Sequence, residues 1–179
     1  HYTEVAPHQE SICYFAYGSN MCLQRITDSE RVPQAIFLKV GWIDGYSLRF
    51  HKISKDGSGK CNIEKTGNNR DRVYGVFFDV PQDKKGNLDK AEGLGNGYHE
   101  EILEFMTDCG SISAHVYIAD NKAIDDDLMP YKWYKTFVVE GARQHGLPQH
   151  YIDAISQVVA INDPDVQRDS KNRSIFSTS

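Results

Sequence analysis

Apolar positions change rhythm along this chain. Residues 12–17 (ICYFAY) form a short apolar and aromatic run that stops at Gly18, Ser19 and Asn20. A run of that length closed by turn formers predicts a buried strand. Residues 21–26 predict a short helix. The stretch 35–53 reads as β structure, broken by Gly41 and by a hairpin turn at Asp44 and Gly45. Residues 55–60 (KDGSGK) predict a loop, 61–66 a short strand and 67–71 a turn. VYGVFFDV at 73–80 is the clearest core strand, ended by Pro81. A polar helical piece follows over 83–93, with Leu88 and Ala91 on one side. Then comes a loop of flexible composition, GLGNG, at 93–97. Residues 98–106 and 112–119 alternate, as two strands joined by a turn at 108–111.

After Asp120 the period lengthens. Trp133, Phe137 and Val138 mark the apolar face of a helix whose end Gly141 and Gly146 bracket. Beyond Pro148, the residues Tyr151, Ile152, Ile155, Val158 and Val159 recur at helical spacing, until Asn162, Asp163 and Pro164 stop them. No repeat or linker interrupts this order. It predicts one α+β domain over 12–162, with a flexible arm at 1–11 and a polar tail at 163–179. Strands come first and helices cluster late. That favours a small mixed β-barrel or strongly curved sheet flanked by helices.

Composition narrows the function. A chain of 179 residues can bury about 70% of its unfolded surface, so it needs no disulfide or metal staple. Its net charge of −5 argues against a nucleic-acid partner, since a reader of phosphates must neutralise them, although a small local basic patch is compatible with it. No apolar stretch reaches the roughly 18–20 residues of a membrane span. The opening HYTEVAPHQES has neither the basic nor the apolar region of a signal peptide. Cys13, Cys22, Cys61 and Cys109 form no C-x-x-C pair, and scattered thiols of this kind fit a reducing, cytoplasmic setting. No histidine or acidic pattern has metal-ligand spacing.

Two segments hold candidate chemistry. A strand ending in Tyr17, Gly18, Ser19 and Asn20 exposes the backbone N–H groups of a turn, and such a nest binds anions. An ordinary strand-to-helix turn capped by Ser19 or Asn20 explains the same residues. Glu92 closes a short helix before the glycine-rich loop. A carboxylate there can shuttle protons if its surroundings raise its pKa, or it can be a surface acid, as most Glu residues are. A serine-hydrolase use of Ser19 lacks the G-x-S-x-G elbow.

Together these segments resemble the γ-glutamylcyclotransferase family. YFAYGSNM at 14–21 is similar to its substrate-binding signature, in the YGSN branch. VYGVFFDV at 73–80 is similar to its core strand. LDKAEG at 88–93 resembles the segment with its catalytic glutamate. Residues 133–152 resemble its late helical segment. The four occur in the family's order across roughly residues 12–160, and the family fold is a small mixed β-barrel with helices around it.

The resemblance implies an intramolecular acyl transfer. The α-amine of a small-molecule γ-glutamyl amide attacks its own γ-carbonyl, giving 5-oxoproline and a free amine or amino acid. No cofactor is implied, because the nucleophile is already tethered. Glu92 matches the general acid/base. Backbone N–H groups of Tyr17, Gly18, Ser19 and Asn20 would hold the substrate carboxylate or the oxyanion, and Tyr117 and Tyr134 match pocket tyrosines. A non-catalytic binding relative is the alternative. The glycine-rich 93–97 loop and the 125–130 stretch depart from the family pattern and put the leaving group in question. Glutathione breakdown, γ-glutamyl amino acid turnover and removal of a γ-glutamyl protecting group are all compatible, as are a monomer and a homodimer. With no Lys or Arg in 14–20, the substrate anion is expected on backbone N–H groups rather than in a basic field.

Overall fold

In a computed structural model of the chain, which describes residues 10–178, β1 (Ser11–Ala16) lies antiparallel to β5 (Arg72–Pro81) and closes a barrel by a parallel contact with β7 (Gly110–Ala119). β2 (Ile36–Asp44) and β6 (Tyr98–Thr107) complete it in the order β1-β5-β2-β6-β7. This is the small barrel that the strand-rich first two-thirds implied. Most of the predicted arm, residues 1–9, lies outside the described residues.

Three phenylalanines from different strands fill the barrel. Phe15 stacks on Phe105 with centroids 4.0 Å apart and meets Phe77 at 5.1 Å. All three are fully buried, and burying one such side chain contributes roughly 1.5–3 kcal/mol. Gly41 does not break β2, as its composition suggested. It pairs with Gly75 across the ladder, and a Cβ at Gly41 would lie 2.4 Å from the Phe77 ring. The two glycines are the space the rings occupy.

Asp44 and Gly45 do not form the expected hairpin. The edges of β2 are already taken by β5 and β6, so the chain leaves the barrel at Gly45. β3 (Tyr46–Ile53) instead pairs with β4 (Gly59–Lys65) in a separate two-stranded sheet. That sheet carries Lys52, Lys60 and Cys61 to the site.

A 3-10 turn (Ser19–Met21) and the short α1 (Leu23–Ile26) follow β1. α2 (Lys85–Glu92) ends at Gly93, whose left-handed φ of 70° halts it. α3 (Lys132–Gln144) buries Trp133, Tyr134, Phe137 and Val138. Gly141 sits inside α3 rather than at its end. A Cβ there would lie 2.6 Å from the Met21 side chain, so the helix rests directly on the turn after β1.

α4 (Gln149–Ser156) is shorter than its periodicity suggested. Lys135 donates to the carbonyls of Ser156 (2.7 Å) and Val158 (3.0 Å) and caps its end. The chain then extends so that Ile161 bridges Tyr131, leaving Val159 exposed. The stretch expected as a polar tail forms α5 (Val166–Ser174). Asp163 holds it by accepting from Arg168 Nε at 2.6 Å and from the Trp133 indole at 2.9 Å, and Phe176 stacks on Phe137. Polar composition hid this docking because the fastening is ionic and aromatic rather than a periodic apolar face.

Candidate active site

The turn after β1 forms the first wall. Met21 N–H donates to Gly18 O and Cys22 N–H to Ser19 O, each at 3.1 Å. The N–H groups of Ser19 and Asn20 open this turn and are not consumed by it. Gly18 is required by packing. A Cβ at this position would sit 2.9 Å from Cys61 Cβ and 3.3 Å from the Tyr134 hydroxyl.

Tyrosines form the remaining walls. Tyr17 donates to the carbonyl of Tyr117 at 2.6 Å, and Tyr98 donates to the carbonyl of Cys61 at 2.6 Å. Cys61 N–H donates to the Tyr134 hydroxyl at 3.0 Å, which leaves that hydroxyl's own proton available. Asn20 Nδ2 donates to the Tyr14 hydroxyl at 3.1 Å. The Tyr117 hydroxyl donates to Asp89, whose carboxylate is also paired with Lys85 at 2.9 Å. Burial above all, with the Glu92 charge adding to it, holds the Tyr14, Tyr17, Tyr98 and Tyr134 hydroxyls well above the ordinary tyrosine range. They therefore remain protonated donors at neutral pH. Burial also pushes the Cys61 thiol up to about 12, which removes it as a nucleophile.

Glu92 is half-buried at the last position of α2. Among the described residues its carboxylate makes no hydrogen bond or ion pair with protein. Tyr17, Gly18, Ser19, Asn20, Glu92, Tyr117 and Tyr134, all singled out from the sequence, line one inner pocket. Tyr14, Cys61 and Tyr98 line it too and were not anticipated. Their sequence signals were weak: Tyr98 opens β6 and Cys61 sits near the start of β4, and only tertiary packing brings them together, with the Tyr98 hydroxyl on the Cys61 carbonyl. Asn20 is 2% exposed, and its buried Oδ1 has no hydrogen-bond partner among the described residues. Ser19 Oγ accepts from Arg25 Nε at 2.9 Å, and no histidine lines the pocket. Ser19 therefore has no Ser–His pair in this pocket.

No basic side chain lines the inner pocket, but a cluster of them lies beside it. Ser19, Glu92, Tyr98 and Tyr134 also border an outer cleft, into which tertiary packing brings Arg25, Arg31, Lys52, Lys55, Lys60 and Lys90. Six cations face a single lining carboxylate, Glu92. They come from α1, the loop after it, the β3–β4 hairpin and α2, so no local window of sequence shows them as a group. Lys60 lies 4.4 Å from the ring centroids of both Trp133 and Tyr134 and pairs with Asp56 at 3.1 Å. Burial still lowers its ammonium to about 8.

A closed barrel with a tyrosine-lined pocket, an unpaired carboxylate and free backbone donors has the parts that acid/base chemistry on a small polar ligand requires. Its relatives agree with that reading. The AIG2-like family model matches residues 72–155. The γ-glutamylcyclotransferase of Homo sapiens is 29% identical over 159 residues, covering 85% of this chain and 81% of its own. That of Bos taurus is 29% identical over 157 residues, covering 83% and 79%. A solved γ-glutamyl cyclotransferase structure superposes with a TM-score of 0.82 at 26% identity, covering 95% of this chain and 100% of that one. Over most of its length the chain is thus similar, in sequence and in fold, to γ-glutamylcyclotransferases.

Proposed function

We propose that this enzyme cyclises γ-glutamyl amides, with Glu92 as its general acid/base. The unpaired Glu92 carboxylate, set between a pocket of neutral donors and an open cleft, carries the assignment. The substrate α-ammonium gives a proton to Glu92 and its nitrogen attacks the γ-carbonyl carbon. The oxyanion that forms is held by the N–H groups of Ser19 and Asn20 or by the Tyr134 hydroxyl. The amide C–N bond then breaks as the leaving nitrogen takes that proton back from Glu92, and the attacking nitrogen's second proton follows through the same carboxylate, so the lactam keeps one N–H and the amine departs as an ammonium. One carboxylate serves both transfers because the accepting and donating nitrogens are bonded to the same carbon. Asn20 Oδ1 accepts from the α-amine and turns it toward the carbonyl. Orientation of a tethered nucleophile supplies much of the rate.

The products are 5-oxoproline and the free amine or amino acid, which makes the protein a step in γ-glutamyl compound turnover, glutathione-derived compounds included. Four unpaired cysteines support a cytoplasmic location. A non-catalytic binding relative has no need of an unpaired carboxylate at the pocket rim. The test is Glu92→Gln, a near-isosteric change. Release of 5-oxoproline should fall by at least about 10²-fold, the usual scale of general acid/base catalysis, with the fold retained. Full activity of that variant would overturn the assignment.

A further inference from the structure

The cations of the outer cleft are largely uncompensated. Of the six, only Lys60 has a carboxylate within ion-pair distance among the described residues. Arg25 is 7% exposed, and its hydrogen bonds go to the neutral Ser19 Oγ and Asn172 Oδ1. Arg31 Nε is buried and has no partner among the described residues. Buried cations are normally paired, because leaving water costs several kcal/mol per ion. A group of like charges left open to a cleft is a site that a bound anion would complete.

The position of the cleft says which part of the substrate carries that anion. Glu92 stands at the border of the inner pocket and the cleft, and it must reach the scissile nitrogen. With the γ-carbonyl held at the turn after β1, everything beyond that nitrogen extends among the cations. A γ-glutamyl group brings one carboxylate of its own, too few for this field. The glycine-rich loop is part of the same construction. It is a hydrogen-bonded turn, with Gly95 N–H donating to Tyr98 O at 2.9 Å and Asp120 N–H to Gly97 O at 2.8 Å. A Cβ at Gly97 would lie 2.8 Å from Lys52 Cε and 2.9 Å from its Nζ. The missing side chain is what lets Lys52 cross the loop, 4.6 Å over the Tyr98 ring, to the cleft.

We propose that the cleft seats the leaving amine and selects one bearing two carboxylates, an acidic amino acid, over neutral amino acids and plain amines. This selectivity rests on the cyclotransferase assignment and adds the leaving group to it. Lys52, Arg31 and Lys90 act as specificity residues. They bind the leaving group's carboxylates and take no part in proton transfer.

The test compares γ-glutamyl-glutamate with γ-glutamyl-glutamine, which differ in one charge at almost equal shape. At low ionic strength kcat/KM should favour the former by at least about tenfold, or about 1.4 kcal/mol. Raising the salt to 1 M should shrink that ratio, because the Debye length falls to about 3 Å. Lys52→Gln should move the ratio toward one. Equal efficiency on the two peptides in the unaltered enzyme would overturn the proposal and leave the cyclotransferase standing. Failure to cyclise these and every other γ-glutamyl amide would overturn the activity itself. The peptide pair and the salt series use the unaltered chain, so the test survives a variant that does not fold.

Discussion

The Tyr17 hydroxyl donates to the main-chain carbonyl of Tyr117 across 2.6 Å, tying the chain just beyond β1 to β7 at the wall of the pocket. Both residues are buried. Tyr17→Phe leaves that carbonyl without its donor, at a cost of about 1–3 kcal/mol. Equilibrium denaturation should show a lower midpoint with an unchanged slope. The kcat/KM should fall as well, because residues 18–20 lose their tether. A variant with the original midpoint would show that the bond is dispensable.

Gly18→Ala places a methyl group 2.9 Å from Cys61 Cβ. Overpacking of this kind costs about 1–3 kcal/mol, and here it also displaces the Tyr134 hydroxyl. Cys61→Gly removes the opposing atom. In a double-mutant cycle the pair should therefore be less unstable than the sum of the single changes, by at least about 0.5 kcal/mol. Strict additivity would place the strain elsewhere.

Ser19→Ala should continue to release 5-oxoproline rather than free glutamate, at a reduced rate because Arg25 Nε loses its acceptor. Mass analysis of the product decides this. Free glutamate from the unaltered enzyme, lost on substitution, would make Ser19 a nucleophile and the enzyme a hydrolase.

Stability should decline above about pH 9. The Cys61 thiol ionises near 9.0 when exposed and at about 12 in the folded chain. Tyr14, Tyr17, Tyr98 and Tyr134 are likewise raised above 10.0. Between those values the folded state keeps protons that the unfolded state has released. Stability from these groups is thus full below the unfolded pKa and is lost as pH rises through the folded one. Denaturation curves from pH 8 to 11, read with tyrosinate absorbance, should show the midpoint falling. In Cys61→Ala the decline should be shallower. A flat profile would mean that these groups are accessible in the folded protein.

Periodicity located nearly every element, since a strand such as 73–80 or a helix such as α3 carries its own apolar rhythm. It failed where partners decide. The turn at Gly45 looks like any hairpin turn, yet β3 pairs with β4 because β2 has no free edge. α4 stops at Ser156 although Val158 and Val159 keep the spacing, because Lys135 caps it and Ile161 is drawn to Tyr131. α5 has no apolar stripe to announce it. Its anchor is Asp163, whose partner Trp133 lies 30 residues away.

The candidate site divides in the same way. Residues 17–20 and Glu92 were legible from sequence alone, because a turn that exposes backbone donors and a helix-ending carboxylate are local features of neighbouring residues. The sequence by itself determined the approximate positions of most strands and the late helices, and it pointed to the site loop and the candidate acid. Only the tertiary structure decided what surrounds them. It stacked Phe15, Phe77 and Phe105 into a barrel, turned five tyrosines onto one pocket, and drew cations from four segments to the face of Glu92. A net charge of −5 had given no sign of that cleft. Net charge sums over the chain, whereas an electrostatic field depends on which side chains packing places within a few ångströms of each other.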